Sequence, residues 1–129
     1  MCSYEADFTT TRNPDPTIVQ FGANDPQELA RAATLVAPSA SGVDLNCGCP
    51  QTWACAATLG AALMEKRELV RDMVVDTRSA LARDGWVRDR EGGKGRSVSV
   101  KIRVHKDLRW AITLRFGALR VCGGLLTLV

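Results

Sequence analysis

An α/β fold with about three parallel strands and intervening helices is what this chain of 129 residues predicts, and three observations lead there. Short β-rich runs recur at Thr17–Phe21 (TIVQF), Gly42–Leu45 (GVDL) and Val98–Val104 (VSVKIRV). Segments whose apolar residues recur at helical spacing separate them. The resulting order, strand–helix–strand–helix–strand, calls for parallel strands joined by right-handed crossovers.

The elements follow in order. Met1–Pro16 is polar, carries Asn13-Pro14 and Asp15-Pro16, and reads as a loop. Thr17–Phe21 reads as a buried strand that Gly22 ends. Gln20 interrupts it with a polar group suited either to a structural hydrogen bond or to a ligand contact. Asp25-Pro26-Gln27-Glu28 is a helix start: Asp25 can cap, Pro26 suits the first turn, and Glu28 stands three residues after the cap. Leu29, Ala32, Ala33 and Val36 continue the helical spacing until Pro38. Gly42–Leu45 is the second strand. Leu59–Met64 is small and apolar. Glu65–Asp84 predicts a helix with Leu69, Met73, Val74, Thr77 and Leu81 on one face, stopped by Gly85. Arg88–Arg96 (RDREGGKGR) reads as a solvated connector, with contact to RNA phosphate as the functional alternative. In the third strand, Lys101 and Arg103 share a face.

Composition sets the class. Hydrophobic residues make up 46% and charged residues 24%, which suits one soluble globular domain and excludes general disorder. The net charge of +3 is mildly basic, compatible with a polyanionic partner and equally with a solvated face. Five cysteines stand at 2, 47, 49, 55 and 122, an odd count. With no signal-peptide pattern at the start, they predict reduced thiols and a cytoplasmic or nuclear location. The most apolar segment, Trp110–Val129, contains Arg115 and Arg120 and makes a poor membrane span.

In parallel α/β folds, function collects at the C-terminal ends of the strands. Gln20 stands near the end of the first strand, Asn46, Cys47 and Cys49 follow the second, and Lys101 and Arg103 lie toward the end of the third. Topology therefore places these polar residues on one rim. Three readings of the cysteines compete. Metal binding would use Cys47, Cys49 and Cys55 with His105, but the spacing is not that of a paired zinc site, and no metal is expected. Packing suits Cys2, Cys55 and Cys122, and is plausible for Cys47. Catalysis suits Cys49, held between Gly48 and Pro50. A thiol has a reference pKa of about 8.5 and can donate a proton at neutral pH.

Taken together, TIVQFGAND, GVDLNCGCPQTWA, LGAALM and VSVKIRVHKDL resemble the tRNA-dihydrouridine synthases. The similarity runs from about Ala6 to Arg109. The DFTT segment before the first strand and the Trp of CGCPQTW point to the fourth eukaryotic subgroup, which acts on the neighbouring D-loop uridines 20a and 20b. The resemblance implies a TIM (β/α)8 barrel that binds FMN, is reduced by NADPH, and reduces a uridine flipped out of tRNA. It implies that Cys49 is the proton donor to C5 of the uracil. Gln20, Lys101 and Asn46 match flavin-binding positions, and Arg103 matches the substrate side. Cys47 is not the catalytic position. No membrane and no obligate protein partner is implied.

The chain also departs from that pattern. A TIM barrel takes about 250 residues, so the expectation is a barrel fragment. Residues 1–109 form its partial FMN-binding domain and residues 110–129 a divergent tail. The opening strand, the His-Gly-Arg type motif, the late phosphate-binding loops and the helical tRNA-contacting domain of the family are not recognisable. A truncated product whose tail derives from another frame or an intron is the expectation, with the tail covering the exposed sheet face. A non-catalytic fragment and a tRNA-binding remnant are the alternatives to activity.

Overall fold

The computed structural model describes residues 16–87, 95–103, 119–122 and 125–128. Cys2, the Arg88–Lys94 part of the charged loop, His105 and residues 104–118 lie outside the described residues. Three strands run parallel: β1 (Ile18–Phe21), β2 (Gly42–Cys47) and β3 (Ser97–Arg103). Strand β2 extends past the GVDL run because Asn46 and Cys47 continue to pair with Lys101 and Ile102.

Helix α1 (Pro26–Val36) starts where the capping pattern predicts. Asp25 Oδ1 accepts from the backbone N–H groups of Gln27 and Glu28 at 2.8 and 2.9 Å, a cap worth about 1 kcal/mol. The helix gives way to a 3-10 turn at Ala37–Ser39, around Pro38. A short helix that the sequence reading did not anticipate, α2 (Thr52–Ala56), follows the cysteine turn. Gly60–Glu65 is a 3-10 segment that buries Leu63, so helix α3 begins at Arg67 and runs to Arg83. Its buried face is Val70, Met73, Thr77, Ala80 and Leu81. Leu69 and Val74, expected on the buried face, are only partly buried. The stripe is centred differently because α3 packs against α1 as well as against the sheet.

The core lies between these helices and one face of the sheet. One cluster joins Leu29, Leu45, Leu63, Met73, Val100 and Ile102 with Cys47. A second joins Ala33, Val36, Val43, Leu81 and Val98 near the strand starts. Full burial of a side chain such as Leu45 contributes about 1.5–3 kcal/mol. Both long helices cover the same sheet face, the single-sided winding that curves a parallel sheet toward a barrel rather than an open doubly wound sheet.

The connection from α3 to β3 closes on one arginine. The Arg96 guanidinium lies 4.2 Å from the centre of the Trp86 ring, and its Nε donates to the Ala37 carbonyl at 2.6 Å. This end of the Arg88–Arg96 loop is therefore docked, contrary to the expectation of a solvated connector. Among the described residues, Thr77 Oγ1 is buried without a hydrogen-bond partner.

The described residues of the tail, 119–122 and 125–128, depart from the expectation. Strands β4 (Leu119–Cys122) and β5 (Leu125–Leu128) form an antiparallel pair, and β5 pairs antiparallel with β3. The sheet order is β1-β2-β3-β5-β4. These strands extend the edge of β3 instead of covering a face, satisfying backbone groups that an open edge leaves unpaired.

Candidate active site

Side chains alternate across a strand, so the parallel strands present two unlike faces. The face toward the helices carries Val43, Leu45 and Cys47 on β2, and Val98, Val100 and Ile102 on β3. The opposite face carries Gln20 on β1, Asp44 and Asn46 on β2, and Ser99, Lys101 and Arg103 on β3. The parallel register aligns them in rows: Gln20 beside Asp44 beside Ser99, and Asn46 beside Lys101.

These residues form one hydrogen-bonded network. Gln20 Nε2 donates to Asp44 Oδ2 at 2.6 Å. Ser99 Oγ donates to the other carboxylate oxygen, Asp44 Oδ1, at 2.6 Å. Gln20 Oε1 accepts from Asn46 Nδ2 at 3.0 Å and from Lys101 Nζ at 3.2 Å. Asn46 Oδ1 accepts from the backbone N–H groups of Gly48 and Cys49 at 2.9 and 3.1 Å. That last pair is the side-chain-to-backbone turn that Asn makes readily.

The cysteine turn is held from its other side by the 3-10 segment. Ala61 N–H donates to the Cys49 carbonyl at 2.8 Å. Gly60 is essential to this approach: its φ is +61°, and a Cβ there would lie 2.5 Å from the Cys49 carbonyl oxygen. Adding a Cβ at Gly48 would meet only ordinary contact, with Arg103 Cγ at 3.4 Å. Gly60 was overlooked in the LGAALM run because a left-handed turn leaves no spacing signal.

The two cysteines of the motif end in unlike places. Cys49 is half-buried beside the polar face. Cys47 points into the core at 1% exposure. Burial, and secondarily the negative charge of Asp44, pushes the Cys47 thiol up to about 12 from 9.0. Cys47 is thus a packing residue. Cys55 Sγ lies 3.9 Å from the Cys49 carbonyl. Among the described residues, no group of three His, Cys, Asp or Glu side chains is placed to hold a metal.

Of the residues singled out in sequence, Gln20, Asn46 and Lys101 meet directly, and Cys49 joins them through its backbone. Arg103 lies beside the turn, with Nη1 3.5 Å from the Gly48 carbonyl, a long contact. Asp44 and Ser99 were missed, although both are 6% exposed and tie the three strands together. Their signal was present as polar residues inside the apolar runs GVDL and VSVKI.

The polar face offers N–H donors to a ligand that carries hydrogen-bond acceptors along its edge. Lys101 carries three N–H groups and one described acceptor, Gln20 Oε1. Gln20 Nε2 likewise has one N–H beyond its bond to Asp44. A cavity of about 430 Å³ lies elsewhere, between α1 and α3, lined by Gln27, Arg31, Asp76 and Arg83. It opens on the helical layer, across the sheet from Cys49. Among the described residues, no helix is long and apolar enough to cross a membrane.

Comparison with known proteins points the same way. The family described as dihydrouridine synthase (Dus) matches residues 3–118. A Homo sapiens protein named as tRNA-dihydrouridine(20a/20b) synthase NAD(P)+-like is 46% identical over 110 residues, covering 85% of this chain and 32% of that protein. Its Mus musculus counterpart is 48% identical over 110 residues, covering 85% of this chain and 31% of its own length. A Schizosaccharomyces pombe tRNA-dihydrouridine(20a/20b) synthase is 40% identical over 102 residues, covering 79% and 28%. The chain spans about a third of the length of these relatives.

Proposed function

Because the chain belongs to the dihydrouridine synthase family, we propose that its polar sheet face is part of a site that reduces uridine in the tRNA D-loop to 5,6-dihydrouridine. Three parallel strands with helices on one face are one portion of that family's TIM barrel. The observation that carries the proposal is the network from Gln20 and Lys101 through Asn46 to the backbone of Cys49.

In this reading Gln20, Asn46 and Lys101 hold the polar edge of FMN. When bound and reduced by NADPH, FMN supplies the hydride. Lys101 places a positive charge where the ring system gains negative charge. Cys49 donates its thiol proton to C5 of the uracil, acting as the general acid. Arg103, exposed beside the turn, contacts the substrate side. The uracil must leave its stack to reach this face.

The second reading is a non-catalytic piece, and one observation favours it: among the described residues three parallel strands are followed by an antiparallel pair, where a TIM barrel closes eight parallel strands. A visible absorption spectrum of the purified chain, taken after adding excess FMN and desalting, decides between them. A retained yellow flavin spectrum that bleaches with NADPH supports the site, and a colourless protein supports the piece. In a flavin-loaded protein, Cys49→Ala should keep the flavin and lose dihydrouridine formation. Normal product formation by that variant rules out Cys49 as the acid.

A further inference from the structure

Asp44 makes no described contact with the cysteine turn, yet its carboxylate stands at the start of the side-chain relay that reaches the turn through Gln20 and Asn46. An ionised carboxylate only accepts hydrogen bonds. Gln20 must therefore turn its nitrogen toward Asp44, where the contact is 2.6 Å. Its oxygen then faces Asn46 and Lys101. Asn46 must in turn give its nitrogen to Gln20, which leaves its oxygen for the N–H groups of Gly48 and Cys49. The opposite setting of either amide would oppose donor to donor at Lys101 or at the turn. Asp44 is itself held by Ser99, is 6% exposed, and makes no described salt bridge.

We propose that Asp44 is the positioning residue of this site, setting the amide orientations of Gln20 and Asn46 and through them the backbone of the Gly48–Cys49 turn. The proposal rests on the reading of Cys49 as the proton donor, which gives the turn its importance. Asp44 touches neither the cysteine nor a reacting atom. It acts as the acceptor-only anchor of a relay of two amides crossing two strands.

The test is hydrogen exchange by NMR on the full chain, without flavin or tRNA, so failure of the catalytic reading leaves it intact. In Asp44→Ala the Gly48 and Cys49 amides should exchange about tenfold faster, while amides of α1 and α3 keep their rates. The side-chain amide signals of Gln20 and Asn46 should lose their distinct shifts. Asp44→Asn should restore exchange to within about threefold, because its oxygen can accept from Gln20 while its nitrogen donates to the Ser99 hydroxyl. Gln20→Met, at an exposed position, should loosen the turn as Asp44→Ala does. It keeps the relay testable if Asp44→Ala does not fold. Unchanged Cys49 exchange in Gln20→Met or in a folded Asp44→Ala, or an Asp44→Asn that behaves like the alanine variant, overturns the proposal.

Discussion

The two faces of the parallel sheet come from the same strands and obey opposite rules. Toward the helices, Val43, Leu45, Val98, Val100 and Ile102 are buried against α1 and α3, and Cys47 is one more apolar side chain among them. On the other face, Gln20, Asp44, Asn46, Ser99 and Lys101 satisfy one another in a chain of hydrogen bonds. One face stabilises through buried area, the other holds groups in fixed orientations. A shift of one residue along a strand changes which rule applies. Cys47 and Cys49 show that parity is not the whole account: equal parity would place both in the core, but the strand ends at Cys47, and the Asn46-capped turn carries Cys49 away from it.

The comparison breaks most visibly with one truncation on each face. Leu45→Ala should lower stability by about 2–5 kcal/mol in urea denaturation, because α3 cannot fully collapse onto the vacated space. Lys101→Ala should change stability by about 0.5 kcal/mol or less and, under the proposed flavin site, lower the fraction of FMN kept after desalting. Comparable destabilisation by the two would show that the polar face also carries the fold.

Alkaline pH probes the same difference through the thiols. The folded chain holds the Cys47 proton more tightly than the unfolded chain does, with a pKa of about 12 against 9.0. Above pH 9 the unfolded state therefore binds fewer protons than the folded state, and stability falls as pH rises. Cys47's contribution is fully present below pH 9 and is lost progressively between 9.0 and about 12. Denaturation midpoints measured from pH 8 to 11 should decline in the wild-type chain and decline less in Cys47→Ala. An equal decline in both would show that Cys47 is not the group responsible.

The smallest expected effect lies within the apolar layer. Thr77 is fully buried with an unsatisfied hydroxyl. Thr77→Val keeps the shape and removes the lone polar atom, and should raise stability by up to about 1 kcal/mol. A lowered melting temperature would mean that the hydroxyl is bonded in solution.

Much of the framework was legible because periodicity and punctuation are local. Asp25-Pro26 with Glu28 starts α1, Pro38 terminates it, and VSVKIRV alternates as a half-polar strand does. The α2 turn was not legible, since five residues do not display a helical period. Nor were β4 and β5, whose reason for forming is the unpaired edge of β3, a distant element.

For the site, the types and order of residues were in the sequence: an amide at 20, an Asn before the cysteine turn, and a Lys and an Arg two apart on β3. Their chemistry follows from residue type and their shared rim from parallel topology. Only the tertiary structure decided that Asp44 anchors the network, that Gly60 makes room for Cys49, and that Cys47 belongs to the core. Those outcomes depend on register between strands and on contacts of 2.6 to 3.2 Å between residues that stand up to 81 positions apart. No local pattern encodes such distances, because they arise from which neighbours packing brings together.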